Sequence, residues 1–271
     1  MPTVVIVSFN ASDYLRRNLE KLSAIKNLEI IVVDNASTDP KIAELPKLFP
    51  AVRWMQNADN LGFSKANNMG WKLAKSEWIL FLNPDCEIEE SAIKTMVNFA
   101  KQNKSLGILG PKIVSADGKF EPASRRKIPS LWSGFLRVSG LDLKQGNGGY
   151  HYREFSENET HKIQAVSGSC LLISRKNLEK LDGWDEDFFL YGEDLDLCFR
   201  SEKAGLENFY CADAMVIHHK GKSAETNHKR AKVEFYHSMA IFAKKHFSLP
   251  KRLSVWVGAQ LALLLANYDK K

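Results

Sequence analysis

The chain has 271 residues, 44% of them hydrophobic and 26% charged, so it can bury a sizeable core and falls outside the disordered and collagen-like classes. Its net charge of +6 suits a phosphorylated substrate or anionic lipid. The basic residues are spread along the chain with no zinc-finger or aromatic ribonucleoprotein pattern, so no nucleic acid partner is expected.

The elements alternate from the start. Residues 4–7 are a β-branched run read as a first strand, and the chain enters it so early that no signal peptide is expected. Ser12 or Asp13 can cap a helix carrying Leu15, Leu19 and Leu22. Residues 28–33 form a second buried strand, ending at Asp34-Asn35. A helix follows Asp39-Pro40, with proline suited to a first turn. Residues 52–55 are a short third strand, 63–74 a helix and 78–82 a fourth strand. Such alternation predicts a parallel sheet with right-handed crossovers. Polar groups gather at the strand ends: Ser8 and Asn10, Asp34 and Asn35, Asn83 and Asp85. In an open α/β sheet those ends meet the ligand. Asp85, just beyond an apolar strand, is therefore placed for a metal or charged ligand.

The second part is less regular. Residues 106–114 read as a strand pair or a sheet edge, and 171–173 as another core strand. The segment 119–160 is long, with the basic run Ser124-Arg125-Arg126-Lys127 and a glycine-rich stretch at 146–149. Its length fits a lid, and its basic run fits either a solvated loop or a contact to a pyrophosphate-linked acceptor. Between Gly183 and Arg200 carboxylates crowd among aromatics, and a helix is expected from about Gly192, with Glu193 and Asp194 in its first turn. Those acids are read either as capping groups or as a desolvated general base. Residues 214–217 form a strand that delivers His218, with His219 as its rival, toward a divalent cation. Lys220 and Lys222 behind it suit phosphate oxygens, and 229–247 read as a helix. Cys86, Cys170, Cys198 and Cys211 form no CxxC pair, so reduced thiols and a cytoplasmic setting are expected.

In chain order, Val7-Ser8-Phe9-Asn10, Asp34-Asn35-Ala36-Ser37-Thr38-Asp39, Asn60-Leu61-Gly62-Phe63, Asn67-Asn68, Leu82-Asn83-Pro84-Asp85 and Gly192-Glu193-Asp194-Leu195-Asp196 resemble the motifs of family 2 glycosyltransferases. The likeness is strongest to their rhamnosyltransferase-like branch. It spans residues 3–247 and implies a GT-A fold: a Rossmann-like, mostly parallel α/β central sheet flanked by helices, with a smaller acceptor-side part. Residues 1–100 would be the nucleotide-binding half and 101–247 the acceptor-binding half of one domain.

The resemblance also implies roles. Ser8, Asn10, Asp34, Asn35, Asn60, Gly62, Asn67, Asn83 and Asp85 would line the nucleotide-sugar pocket. Asp85 and His218 would hold Mg2+ or Mn2+, Asp194 would be the catalytic base, and Trp184 and Glu193 would border the acceptor. Asn83 departs from the aspartate often found in the family, which weakens the metal site. The implied reaction is inverting transfer from dTDP-rhamnose or a UDP-sugar to a glycan or lipid-linked acceptor in cell-surface polysaccharide synthesis. A sugar-nucleotide-binding module without turnover is the alternative. Residues 251–271, apolar with basic flanks, suit either a helix on the inner face of the membrane or one packed on protein.

Overall fold

A computed structural model describes residues 1–128, 150–219 and 228–250, together with Arg252, Leu253 and Val255. Its centre is a sheet in the order β3-β2-β1-β4-β10-β6-β11-β5. The strands are β1 (Thr3–Ser8), β2 (Glu29–Asp34), β3 (Arg53–Gln56), β4 (Trp78–Leu82), β5 (Cys86–Ile88), β6 (Leu106–Ser115), β10 (Cys170–Ser174) and β11 (Glu207–His218). Two short strands, β7 (Arg125–Arg126) and β9 (Ala165–Val166), pair beside it, and β8 (His161–Lys162) pairs with β11.

Each central strand reads as continuous apolar sequence because both faces of the sheet are covered. Alternate residues feed two cores. Val4, Ile6, Val32, Leu80, Leu82 and Leu172 face one core, which also takes Leu15, Leu19 and Leu22 of α1 (Ser12–Leu22) and Ile93, Met96 and Val97 of α4 (Glu90–Gln102). Val5, Ile31, Phe81, Leu171 and Ile173 face the other, against Trp71 of α3 (Phe63–Leu73), Leu178 of α5 (Arg175–Lys180) and Leu197 of α6 (Glu193–Lys203). A short α2 (Leu45–Leu48) sits after the Pro40 turn, and α7 (His228–His246) closes the described helices.

The expected parallel order holds from β3 through β4. Beyond it the sheet is mixed: β10 lies antiparallel between β4 and β6, β6 and β11 are parallel, and β5 pairs antiparallel with β11. Residues 106–114, expected as a strand pair or an edge, fall in one interior strand, β6, with partners on both sides. All four cysteines are buried and free. Among the described residues no helix is long and apolar enough to cross a membrane. The glycine stretch 146–149, Lys220, Lys222 and most of 251–271 lie outside the described residues.

Candidate active site

The parallel order β2-β1-β4 sets three strand ends side by side, with Ser8 opposite Asp34 in register. Several residues expected to touch a nucleotide instead build the rim that would hold one. Asn35 is buried and uses its whole amide: Nδ2 donates to Asn60 Oδ1 (2.8 Å) and Gly62 O (3.2 Å), and Oδ1 accepts from Asn57 Nδ2 (3.0 Å) and the Leu61 amide (3.0 Å). It therefore pins the loop 57–62 to the end of β2 and has no valence left for a ligand. Gly62 has φ 84° and ψ 170°, a region essentially reserved for glycine. The close approach it permits is to Phe189, whose carbonyl accepts the Phe63 amide at 2.7 Å. Asn67 is also buried and donates within its own helix to Phe63 O at 3.0 Å.

Other rim groups stay near the opening. Asn10 is exposed with φ 52°, and its Oδ1 accepts the Thr38 amide at 2.8 Å, which joins the loops after β1 and β2. Asp34 accepts the Ser37 hydroxyl at 2.5 Å and so shapes the same loop. Ser8 Oγ is buried with no hydrogen-bond partner among the described residues.

The Asn83-Pro84-Asp85 turn leads straight into β5. Because β5 pairs with the end of β11, Cys86 lies opposite His218, and the histidine comes to Asp85. His218 Nε2 is 3.6 Å from Asp85 Oδ2, and its Nδ1 is 3.3 Å from Glu121 Oε2. Burial opposes a charged imidazole here, but hydrogen bonds to Asp85 and Glu121 outweigh it and raise His218 from its ordinary 6.5 to about 9. His219, the rival candidate, faces Glu87 at 2.8 Å instead.

Ligand atoms of Asp85, Cys86 and His218 lie within 4.8 Å of one another. Burial pushes the Cys86 thiol well above its ordinary value, so it stays protonated and a poor donor to a hard cation. One carboxylate and one imidazole remain; a cation would have to displace the proton that the raised His218 carries, and the pair would then suit Mg2+ or Mn2+.

Asp194 lies in the first turn of α6, where acids are favoured by the helix dipole. Most of the neighbouring carboxylates are engaged elsewhere. Asp185 and Asp187 pair with Lys245 at 2.6 Å, Glu186 accepts from Asn68 at 3.0 Å, and Asp196 is held by Arg200 (2.7 Å) and His246 (2.6 Å). Glu193 and Asp194, both buried, are held differently. Glu193 is buried, and burial together with the charge of Asp194 raises it to about 8. Asp194 Oδ2 accepts from the Gly168 amide at 2.8 Å and from Arg126 Nη2 at 2.6 Å.

The loop from β9 to β10 ties the two acid centres together. Gly168 binds Asp194, and the carbonyl of the next residue, Ser169, accepts the Asn83 amide at 2.8 Å. The Asp194 carboxylate and a candidate cation site are thus tied to one three-residue loop.

A family model described as glycosyl transferase family 2 matches residues 3–182. The chain belongs to glycosyl transferase family 2. This family 2 chain is 32% identical over 235 residues to an N-acetylglucosaminyl-diphospho-decaprenol L-rhamnosyltransferase of Mycobacterium tuberculosis, covering 81% of this chain and 76% of the relative. Its fold resembles S. aureus TarS 1-349 in complex with UDP-GlcNAc, with TM-score 0.62 at 17% identity, over 100% of this chain and 74% of that one. It also resembles a mannosyltransferase from Pyrobaculum calidifontis in complex with GDP-Man and Mn2+, with TM-score 0.60 at 15% identity, over 98% of this chain and 72% of that one. The fold is the GT-A glycosyltransferase fold.

Two expectations for the acceptor side of this transferase change. Trp184 is 1% exposed and packs edge-on against Phe63 and Phe81, so its ring offers an acceptor no surface. The basic run is neither solvated nor free for phosphate. Arg125 is buried against Phe120 and Tyr210 and donates to the carbonyls of Phe155 and Ser156, and Lys127 pairs with Glu154 at 2.6 Å. Glu121 and Arg126, the partners of His218 and Asp194, were not singled out as site residues from sequence; Arg126 stood out only as part of a basic run.

Proposed function

We propose that this chain transfers rhamnose from a dTDP- or UDP-linked donor to a hydroxyl of a lipid-linked glycan, with inversion at the anomeric carbon. The observation that carries this reading is the Gly168-Ser169 bridge, which ties the buried Asp194 carboxylate to the Asn83-Pro84-Asp85 turn through one short loop. The similarity to a rhamnosyltransferase acting on a diphospho-decaprenol acceptor supports the sugar and the acceptor class.

Asp194 takes the proton of the acceptor hydroxyl as that oxygen attacks the anomeric carbon. The bond from that carbon to the diphosphate breaks, and the nucleoside diphosphate leaves with the electron pair. Asp85 and His218 would hold Mg2+ or Mn2+, which supplies charge neutralisation at the departing diphosphate. The rim built on Asp34, Asn10 and Asn83, with Ser8 beneath it, orients the nucleoside, and Glu193 borders the acceptor hydroxyl. Leu249 and Leu253, 63% and 54% exposed after the basic end of α7, suit peripheral contact with the membrane that carries the acceptor.

A thermal-shift screen of nucleotide sugars with Mn2+, followed by product analysis with a polyprenyl-diphosphate acceptor, tests the reading. dTDP-rhamnose should raise the melting temperature and yield product of inverted configuration. A shift with another donor alone would replace the sugar, and binding without product would favour the non-catalytic module.

A further inference from the structure

Arg126 sits on β7, held against β9, and reaches across to α6. Its Nη2 donates to Asp194 Oδ2 at 2.6 Å and to the Val166 carbonyl at 2.5 Å. The two side chains of the pair are only 13% and 12% exposed, so water screens their attraction little. The Gly168 amide donates to the same oxygen at 2.8 Å, and a Cβ at position 168 would come within 3.3 Å of Asp194. Oδ2 therefore has both lone pairs engaged, whereas among the described residues Oδ1 accepts only the Leu195 amide, at 2.7 Å, and keeps one.

We propose that Arg126 is a positioning residue for glycosyl transfer: with the Gly168 amide it occupies Oδ2 of Asp194, fixes the orientation of the carboxylate, and leaves Oδ1 to receive the acceptor proton. This rests on the reading of Asp194 as the base. Several groups bear on the charge of Asp194. Glu193 and Asp196 come from the same helix turn and oppose it, and Tyr191 precedes them. Cys198 lies one turn on, and Tyr150 faces Arg126 from the segment before β8. Arg126 is the one cation in this set. Without it, two adjacent buried carboxyl groups share the site with no cation between them. Burial alone would lower Arg126, but the charge of Asp194 more than offsets this and raises it. Arg125 and Lys127 are tied elsewhere and cannot take its place.

The test is the pH dependence of transfer, from pH 5 to 9, by wild type, Arg126→Gln, Arg126→Lys and Asp194→Asn at saturating donor and Mn2+. Arg126→Gln should lower kcat at pH 7 by about tenfold or more and move the acid limb up by about one unit or more, with donor KM within about twofold. Arg126→Lys should restore the limb while kcat stays reduced, because one ammonium replaces a planar fork. An unmoved limb in Arg126→Gln, or a loss uniform with pH, would make Arg126 a mere strut and overturn the proposal. If Arg126→Gln does not fold, a wild-type kcat in Arg126→Lys overturns it equally. Asp194→Asn separates the two readings. Retained transfer there removes the base assignment itself, whereas an inactive Asp194→Asn with an unmoved Arg126→Gln limb removes only the role of Arg126.

Discussion

Glu193 keeps its carboxyl inside the protein with Oε2 unpartnered among the described residues, and burial first, then the charge of Asp194, raises it from 4.5 to about 8. A folded value above the unfolded one means that folding takes up a proton between them. The resulting stability is fully present below about pH 4.5 and is lost as pH rises through about 8. Glu193→Gln, which cannot ionise, should therefore gain in melting temperature relative to wild type as pH goes from 5 to 8. A difference that stays constant across that window would show Glu193 to be ionised throughout. At the neighbouring centre, Asp85→Ala and His218→Ala should each abolish the extra thermal shift that Mn2+ gives with bound donor. A full Mn2+ shift in either variant would exclude that side chain as a ligand.

The elements around the rim owe their shape to two residues whose roles are structural. Asn35 holds the loop 57–62 with four hydrogen bonds, and Gly62 lets that loop pass against Phe189. Gly62→Ala forces a side chain into a glycine-only region and against Phe189, and should cost about 1–3 kcal/mol in urea unfolding. A loss below about 0.5 kcal/mol would mean that the loop moves aside without strain. Much of this layer was legible in the residues. The strands β1, β2 and β4 are short apolar runs between turn signals, and their polar ends marked the cleft. The mixed half was not. β10 inserts antiparallel between β4 and β6, a pairing settled by non-local contacts, and β5 is three residues hidden behind a turn. Ile93, Met96, Val97 and Ala100 of α4 carry the helical spacing of a buried face. Glu121 and Arg126 stand 97 and 68 residues from the side chains they hold, beyond the reach of any local pattern.

At the scale of the whole molecule, α7 is fastened to α6 by a buried hydrogen-bonded contact. His246 Nε2 lies 2.6 Å from Asp196 Oδ1, and Asp196 is fully buried. Lys245 spans Asp185 and Asp187, and Ser238 Oγ donates to the Leu190 carbonyl at 2.9 Å, so the loop before α6 is held from the same side. His246→Ala should cost about 1.5–3 kcal/mol, the range for a hydrogen bond to a charged group, and should weaken transfer through a looser α6. Unchanged stability would mean that Arg200 alone suffices for Asp196. The Asp85–His218 pair and Asp194 are thus linked through the β9–β10 loop. Transfer by Asp194→Asn, measured in a single turnover with donor affinity determined on the same sample, tests the role of Asp194 as base most directly. Donor affinity within about twofold of wild type and a rate reduced by about a hundredfold or more is the predicted result. A rate within about threefold of wild type would contradict it.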